Sequence, residues 1–142
     1  MSIYGIATGH SGRFARFLTV GASGIVVNIA ALYLCSRVCH LPTILAAVLA
    51  TECGTLNNFT LNDRWTFADC RGGRCLRSRL VRYHMCTGIG VMLAIAVFTG
   101  LLTVLSLNYL VADLIAIGTA TLWYYASNSR LTWVLPTTAR SR

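Results

Sequence analysis

Polar residues interrupt this chain rarely. Four stretches, 17–36, 41–61, 84–107 and 109–126, are apolar around most of a helical wheel, and each is about 20 residues long. At a rise of about 1.5 Å per residue, each is long enough to cross about 30 Å of hydrocarbon. Alternation at period two, the mark of a membrane strand, is absent, and backbone groups in lipid must be satisfied inside a helix or a closed barrel. The pattern therefore predicts an all-α integral membrane protein of four transmembrane helices, with two short connections and a longer central one. A cleavable signal peptide is the competing reading of the first run, which follows Arg13 and Arg16. That run exceeds a typical signal core and no small-residue cleavage site follows it, so the first helix is expected to stay.

The apolar pattern also repeats. Shifted by 66 residues, Arg16, Gly24, Ile29, Ala46, Ala50, Thr55, Asn62, Arg64 and Thr66 recur as Arg82, Gly90, Ile95, Ala112, Ala116, Thr121, Asn128, Arg130 and Thr132, without a gap. Self-similarity at a fixed offset predicts one helix-pair unit used twice. The expected organisation is a single membrane domain over 1–142, with repeat one at about 14–67, a basic loop at about 68–81 and repeat two at about 80–133. Because each unit has two spans, the second enters the membrane in the same direction as the first, which predicts parallel repeats about an axis along the membrane normal.

Charge sets the orientation. The chain is 56% hydrophobic and only 11% charged, with a mean hydropathy of +0.64, a net charge of +8 and a pI near 9.7. Arginine supplies every strong cation, because there is no lysine. Arg13, Arg16, Arg64, Arg71, Arg74, Arg77, Arg79, Arg82, Arg130, Arg140 and Arg142 fall on one side of the four-span arrangement and Arg37 on the other, so both termini and the central loop are expected in the cytoplasm. On so apolar a chain this basicity points to anionic lipid head groups rather than nucleic acid. Arg71, Arg74, Arg77, Arg79 and Arg82 are the expected lipid-surface residues. The same stretch reads equally well as a plain topology determinant.

Cysteine and histidine carry no chemistry by their spacing. The six cysteines include no C-x-x-C pair, Cys70 and Cys75 fall in the cytosolic loop, and only Cys35 and Cys39, near the outer face, are placed where they can oxidise. His10, His40 and His84 stand apart from any metal or Ser/His/Asp spacing, so no metal, cofactor or hydrolytic activity is expected.

Polar groups inside the spans are the sharpest signal, because an acid at mid-membrane costs about 2.5–3.5 kcal/mol on insertion scales. Glu52 lies eleven residues into the second span and Asn28 equally far into the first from the opposite side, so the two are expected near one depth. Thr51, Glu52, Thr55, Asn58, Phe59 and Asn62 share a sector of about 120° and form a polar stripe toward the cytoplasmic end. The stripe reads either as a substrate path or as hydrogen-bond glue between helices. Asp113, four residues into the last span, reaches toward the outer interface. At the cytoplasmic exits of the second and fourth helices the pattern N-x-R-Φ-T-Φ appears twice, with Arg64 and Trp65 in the first and Asn128 and Arg130 in the second. A guanidinium fork near amide groups suits phosphate, while the alternative is an anchoring arginine with an aromatic belt. The seams Ala46, Ala50, Gly54 and Ala112, Ala116, Ala120 permit close helix approach, within the chain or in a homodimer.

The strings RFLTVGASGIVVNIAALYL and NNFTLNDRWTF, with Glu52 between them, resemble the GtrA-like family of small four-helix membrane proteins over 16–133. The resemblance implies a bacterial cytoplasmic-membrane protein that flips a polyprenyl-phosphate-linked sugar, made by a partner membrane glycosyltransferase, for cell-surface polysaccharide or glycan assembly. It implies substrate contacts at Asn28, Glu52, Asn58, Asn62, Arg64 and Trp65, to which the residue pattern adds Asn128, Arg130 and Asp113. Gly118 stands opposite Glu52 and Tyr124 opposite Asn58, so a symmetric two-acid site is not expected. Two other functions fit the same residues: a non-transporting membrane anchor or accessory subunit for a glycosyltransferase, and a small proton-coupled exporter. An arginine-rich mouth repels cations and disfavours the last.

Overall fold

The computed structural model describes residues 10–71 and 73–133, with the side chains of 10 and 11 excepted. Among them every regular element is helical. α1 is His10–Tyr33, followed by a π-helical turn, Leu34–Val38; α2 is Thr43–Leu61, followed by a second π turn, Asn62–Thr66. α3 is Leu76–Thr103, and α4 is Tyr109–Ser127 with a third π turn, Asn128–Thr132. Four segments, Gly12–Val38, Thr43–Thr66, Leu76–Thr103 and Tyr109–Thr132, are long and apolar enough to cross a membrane.

The chain divides into two compact units, Met1–Asp69 and Cys70–Arg142. In the first, α1 and α2 pack through small residues: Ala46, Ala50 and Gly54 of α2 are buried. A Cβ on Gly54 would stand 2.9 Å from the Gly24 carbonyl oxygen, so glycine there lets the two backbones touch. In the second, Ala112, Ala116 and Ala120 of α4 are buried. The remaining faces are oily and exposed: Val26, Ile29, Ile44, Met92 and Leu114 are all more than 60% accessible, as expected of side chains meant for acyl chains.

Corresponding features stand 66 residues apart. α1 and α3 begin at His10 and Leu76, and α2 and α4 at Thr43 and Tyr109. The left-handed residues of the two short connections are His40 (φ 52°) and Ser106 (φ 49°). α2 starts behind Pro42, whose ring presets the entry angle, and α4 behind Asn108, whose side chain accepts from the Leu110 amide at 2.9 Å.

Two sequence expectations need correction. The basic segment 68–81 is not all loop, and the third helix begins before the span expected from 84, because α3 starts at Leu76 and carries Arg77, Arg79 and Arg82 on its first turns. After Gly73 (φ 69°) no Gly or Pro interrupts the chain before Gly88, and arginine is a good helix former whose stem tolerates an interface. The second and fourth helices also run past 61 and 126 as π turns. Arg140, Arg142 and Gly72 lie outside the described residues.

Candidate functional site

The polar residues collect at the ends of α2 and α4 that follow the small-residue seams. In the first unit the Asn57 amide donates to Ser23 Oγ of α1 at 3.0 Å. Asn58 lies flat on Gly24: a Cβ added there would stand 2.2 Å from Asn58 Oδ1. Asn28 packs from α1 against Gly54, 3.2 Å from where a Cβ would be. At the π turn, Asn62, Asp63 and Thr66 are buried, and the Phe67 amide closes the turn by donating to the Asn62 carbonyl at 2.8 Å. Phe67 is then fixed edge-on against Phe17, ring centroids 6.4 Å apart. Arg13 pairs with Asp69, and the Arg16 guanidinium sits 5.5 Å from the centroid of the exposed Trp65 ring. Arg64 is exposed and makes no hydrogen bond or ion pair among the described residues.

The second unit repeats this plan with other atoms. Tyr124 takes the place of Asn58 and lies on Gly90, where a Cβ would meet its Cε1 at 2.0 Å. Trp123 Nε1 donates to the Cys86 carbonyl at 3.1 Å, as Asn57 donates to Ser23. The Trp133 amide donates to the Asn128 carbonyl at 2.9 Å, and its ring stands 5.8 Å from Tyr83. Arg130 is exposed and likewise outside any hydrogen bond or ion pair among the described residues.

One difference separates the two ends. Thr132 Oγ1 donates to Asn128 Oδ1 at 2.7 Å, and Asn128 Nδ2 donates to the Tyr124 carbonyl at 2.9 Å, so that pair is closed on itself. In the first unit Asn58 Oδ1, Asn62 Oδ1 and Thr66 Oγ1 are buried without a hydrogen-bond partner among the described residues. A buried polar atom left without a partner is costly, so the two ends differ in how well their polar groups are satisfied.

The stripe expected on α2 is split by this packing. Asn58 turns toward α1 and Asn62 is buried, whereas Glu52 is exposed. On a helical wheel Glu52 stands about 160° around α2 from Gly54, the residue against which Asn28 packs. An enclosed cleft between α1 and α2 joining Glu52 to Asn28 is therefore not what this helix pair presents. Asp113 is exposed on the second turn of α4. Sequence reasoning passed over Ser23, Asn57 and the Arg16 partner of Trp65. The signal for the first two was the Gly24 recurrence, since a notch that admits Asn58 brings its neighbour onto the same helix.

These features define a small multi-pass helical membrane protein whose polar groups gather at helix ends. The chain belongs to the family described as GtrA/DPMS, transmembrane domain, whose family model matches residues 16–133. It is 36% identical over 125 residues, 88% of the chain, to a dolichol-phosphate mannosyltransferase of Pyrococcus furiosus, and it spans 35% of that protein's length.

Proposed function

We propose that this protein moves a polyprenyl-phosphate-linked sugar between the leaflets of a bacterial cytoplasmic membrane for surface glycan assembly, and that it does no covalent chemistry. The observation that carries this reading is family membership over 16–133 together with likeness to a protein named for a dolichol-phosphate sugar. The exposed arginines Arg64 and Arg130, which make no hydrogen bond or ion pair among the described residues, supply phosphate contacts, each at the end of its own unit. Arg16 and Trp65 flank the first of them. Asn58, Asn62 and Thr66 supply acceptors for sugar hydroxyls. Glu52 serves from the outer surface of α2, so the head group travels along a face open to lipid, its chain remaining among acyl chains.

The test is flipping of a polyprenyl-phosphoryl sugar in vesicles holding the purified protein. Glu52→Gln with Arg64→Ala is expected to lower the rate at least tenfold, about 1.4 kcal/mol of barrier. Rates equal to wild type would remove these roles.

A second reading, a membrane anchor for a separate glycosyltransferase, draws support from the chain's covering 35% of a mannosyltransferase and from the exposure of Glu52. It predicts co-purification with the enzyme, tolerance of Glu52→Gln, and no translocation.

A further inference from the structure

The arginines between 71 and 82 look alike in sequence, but the fold sorts them. Arg79 is buried and donates to the Arg74 carbonyl, while Arg74 donates to the carbonyls of Leu131 and Thr132. Those two guanidiniums hold the end of their own unit together. Arg77 and Arg82 are different. They are exposed, and with Cys75, Ser78, Val81 and Met85 they line an open groove of about 520 Å³ along the first three turns of α3. Arg82 Nε donates to Ser78 Oγ at 3.4 Å, which holds its guanidinium along the helix one turn from Arg77.

Depth gives the groove its meaning. α3 has 28 residues and so extends about 42 Å, about 12 Å more than the hydrocarbon is thick. Its later turns are apolar and its first turns carry the arginines, so the excess lies at the N-terminal end. Arg77 and Ser78 then sit among head groups, and Val81 and Met85 at the edge of the acyl layer.

The geometry points to a binding site for an anionic phospholipid. Arg77, Arg82 and Ser78 Oγ take the head-group phosphate, and Val81 and Met85 seat the upper part of one acyl chain. A soluble anion would use only the first half of this surface, and a zwitterionic lipid gains little from its two unneutralised cations. The inference does not depend on sugar translocation.

The wild-type chain tests it directly. In nanodiscs, phosphatidylglycerol added to phosphatidylcholine is expected to slow maleimide labelling of Cys75 several-fold and leave the exposed Cys39 unchanged. In native mass spectrometry, Arg77→Gln with Arg82→Gln is expected to weaken phosphatidylglycerol retention roughly 20- to 30-fold. A control in the other connection, Arg37→Gln, is expected to lose less than about threefold, since Arg37 does not line the groove. Equal losses in both variants, or equal Cys75 protection by pure phosphatidylcholine, would overturn the site. Equal protection by inorganic phosphate would make it a plain anion site, and displacement by polyprenyl phosphate at equal mole fraction would make the carrier its occupant; either result overturns the phospholipid assignment.

Discussion

At the scale of single residues, the helix pairs are set by glycines that have something to receive. Gly24 takes the Asn58 amide and Gly90 the Tyr124 ring, and an added methyl would stand 2.2 Å and 2.0 Å from them. Gly88 and Gly118 have nothing within 4 Å. Gly24→Ala and Gly90→Ala are therefore expected to destabilise by about 1–3 kcal/mol through overpacking. Gly88→Ala and Gly118→Ala are expected to be neutral or to stabilise by about 0.5–1 kcal/mol through helix propensity. Denaturant unfolding in detergent distinguishes the two pairs, and equal effects would mean that the glycines are interchangeable helix breakers. The recurrence of Gly24 as Gly90 was legible in the sequence. What each accepts was not, because an amide and a phenol share no pattern and only the notch shows that they do the same packing job.

At the scale of elements, four apolar runs announced four helices, and the positions of their polar ends were harder to read. Arg77 and Arg79 looked like loop because charge density in a hydropathy window masks helix propensity. The fold instead continues α3 back to Leu76 and engages Arg79 as a strut. The π turns were also illegible, since Asn62–Thr66 differs from an ordinary last helical turn only in which carbonyl the following amide reaches. The exposure of Glu52 was hard to read for a related reason. A sector of 120° reads as one face, but the contact face is as narrow as its small residues, Ala46, Ala50 and Gly54, and leaves Glu52 outside. The strut yields a prediction. Arg79→Ala removes the donor to the Arg74 carbonyl and loosens the Arg74 contact with Leu131, so hydrogen exchange of amides 128–133 is expected to rise at least tenfold, as loss of a charged hydrogen bond worth about 1.5–3 kcal/mol requires. Amides of α2 in the other unit are expected to hold. Unchanged exchange at the end of α4 would mean that the π turn stands by its own backbone bonds.

At the scale of the whole molecule, helix starts, left-handed residues, glycine notches and aromatic pairs all recur 66 residues apart. We propose that one helix-pair unit serves twice in the same membrane direction. Such an arrangement requires that both even-numbered helices end on one side, with Arg64 and Arg130 beside each other's leaflet, and that the arginine bias hold them there. Native cysteines make this testable without mutation. Cys39 lies in the α1–α2 connection and Cys75 directly before α3, both exposed, on opposite sides of a four-span chain, whereas Cys53 is exposed within a span and shielded by lipid. In intact spheroplasts an impermeant maleimide is expected to label Cys39 and spare Cys75, and disruption of the membrane is expected to open Cys75. Both labelled from outside, or Cys75 alone, would place the arginines on the outer face or break the four-span path. Either result would withdraw Arg64 and Arg130 from the leaflet that the proposed phosphate contacts require.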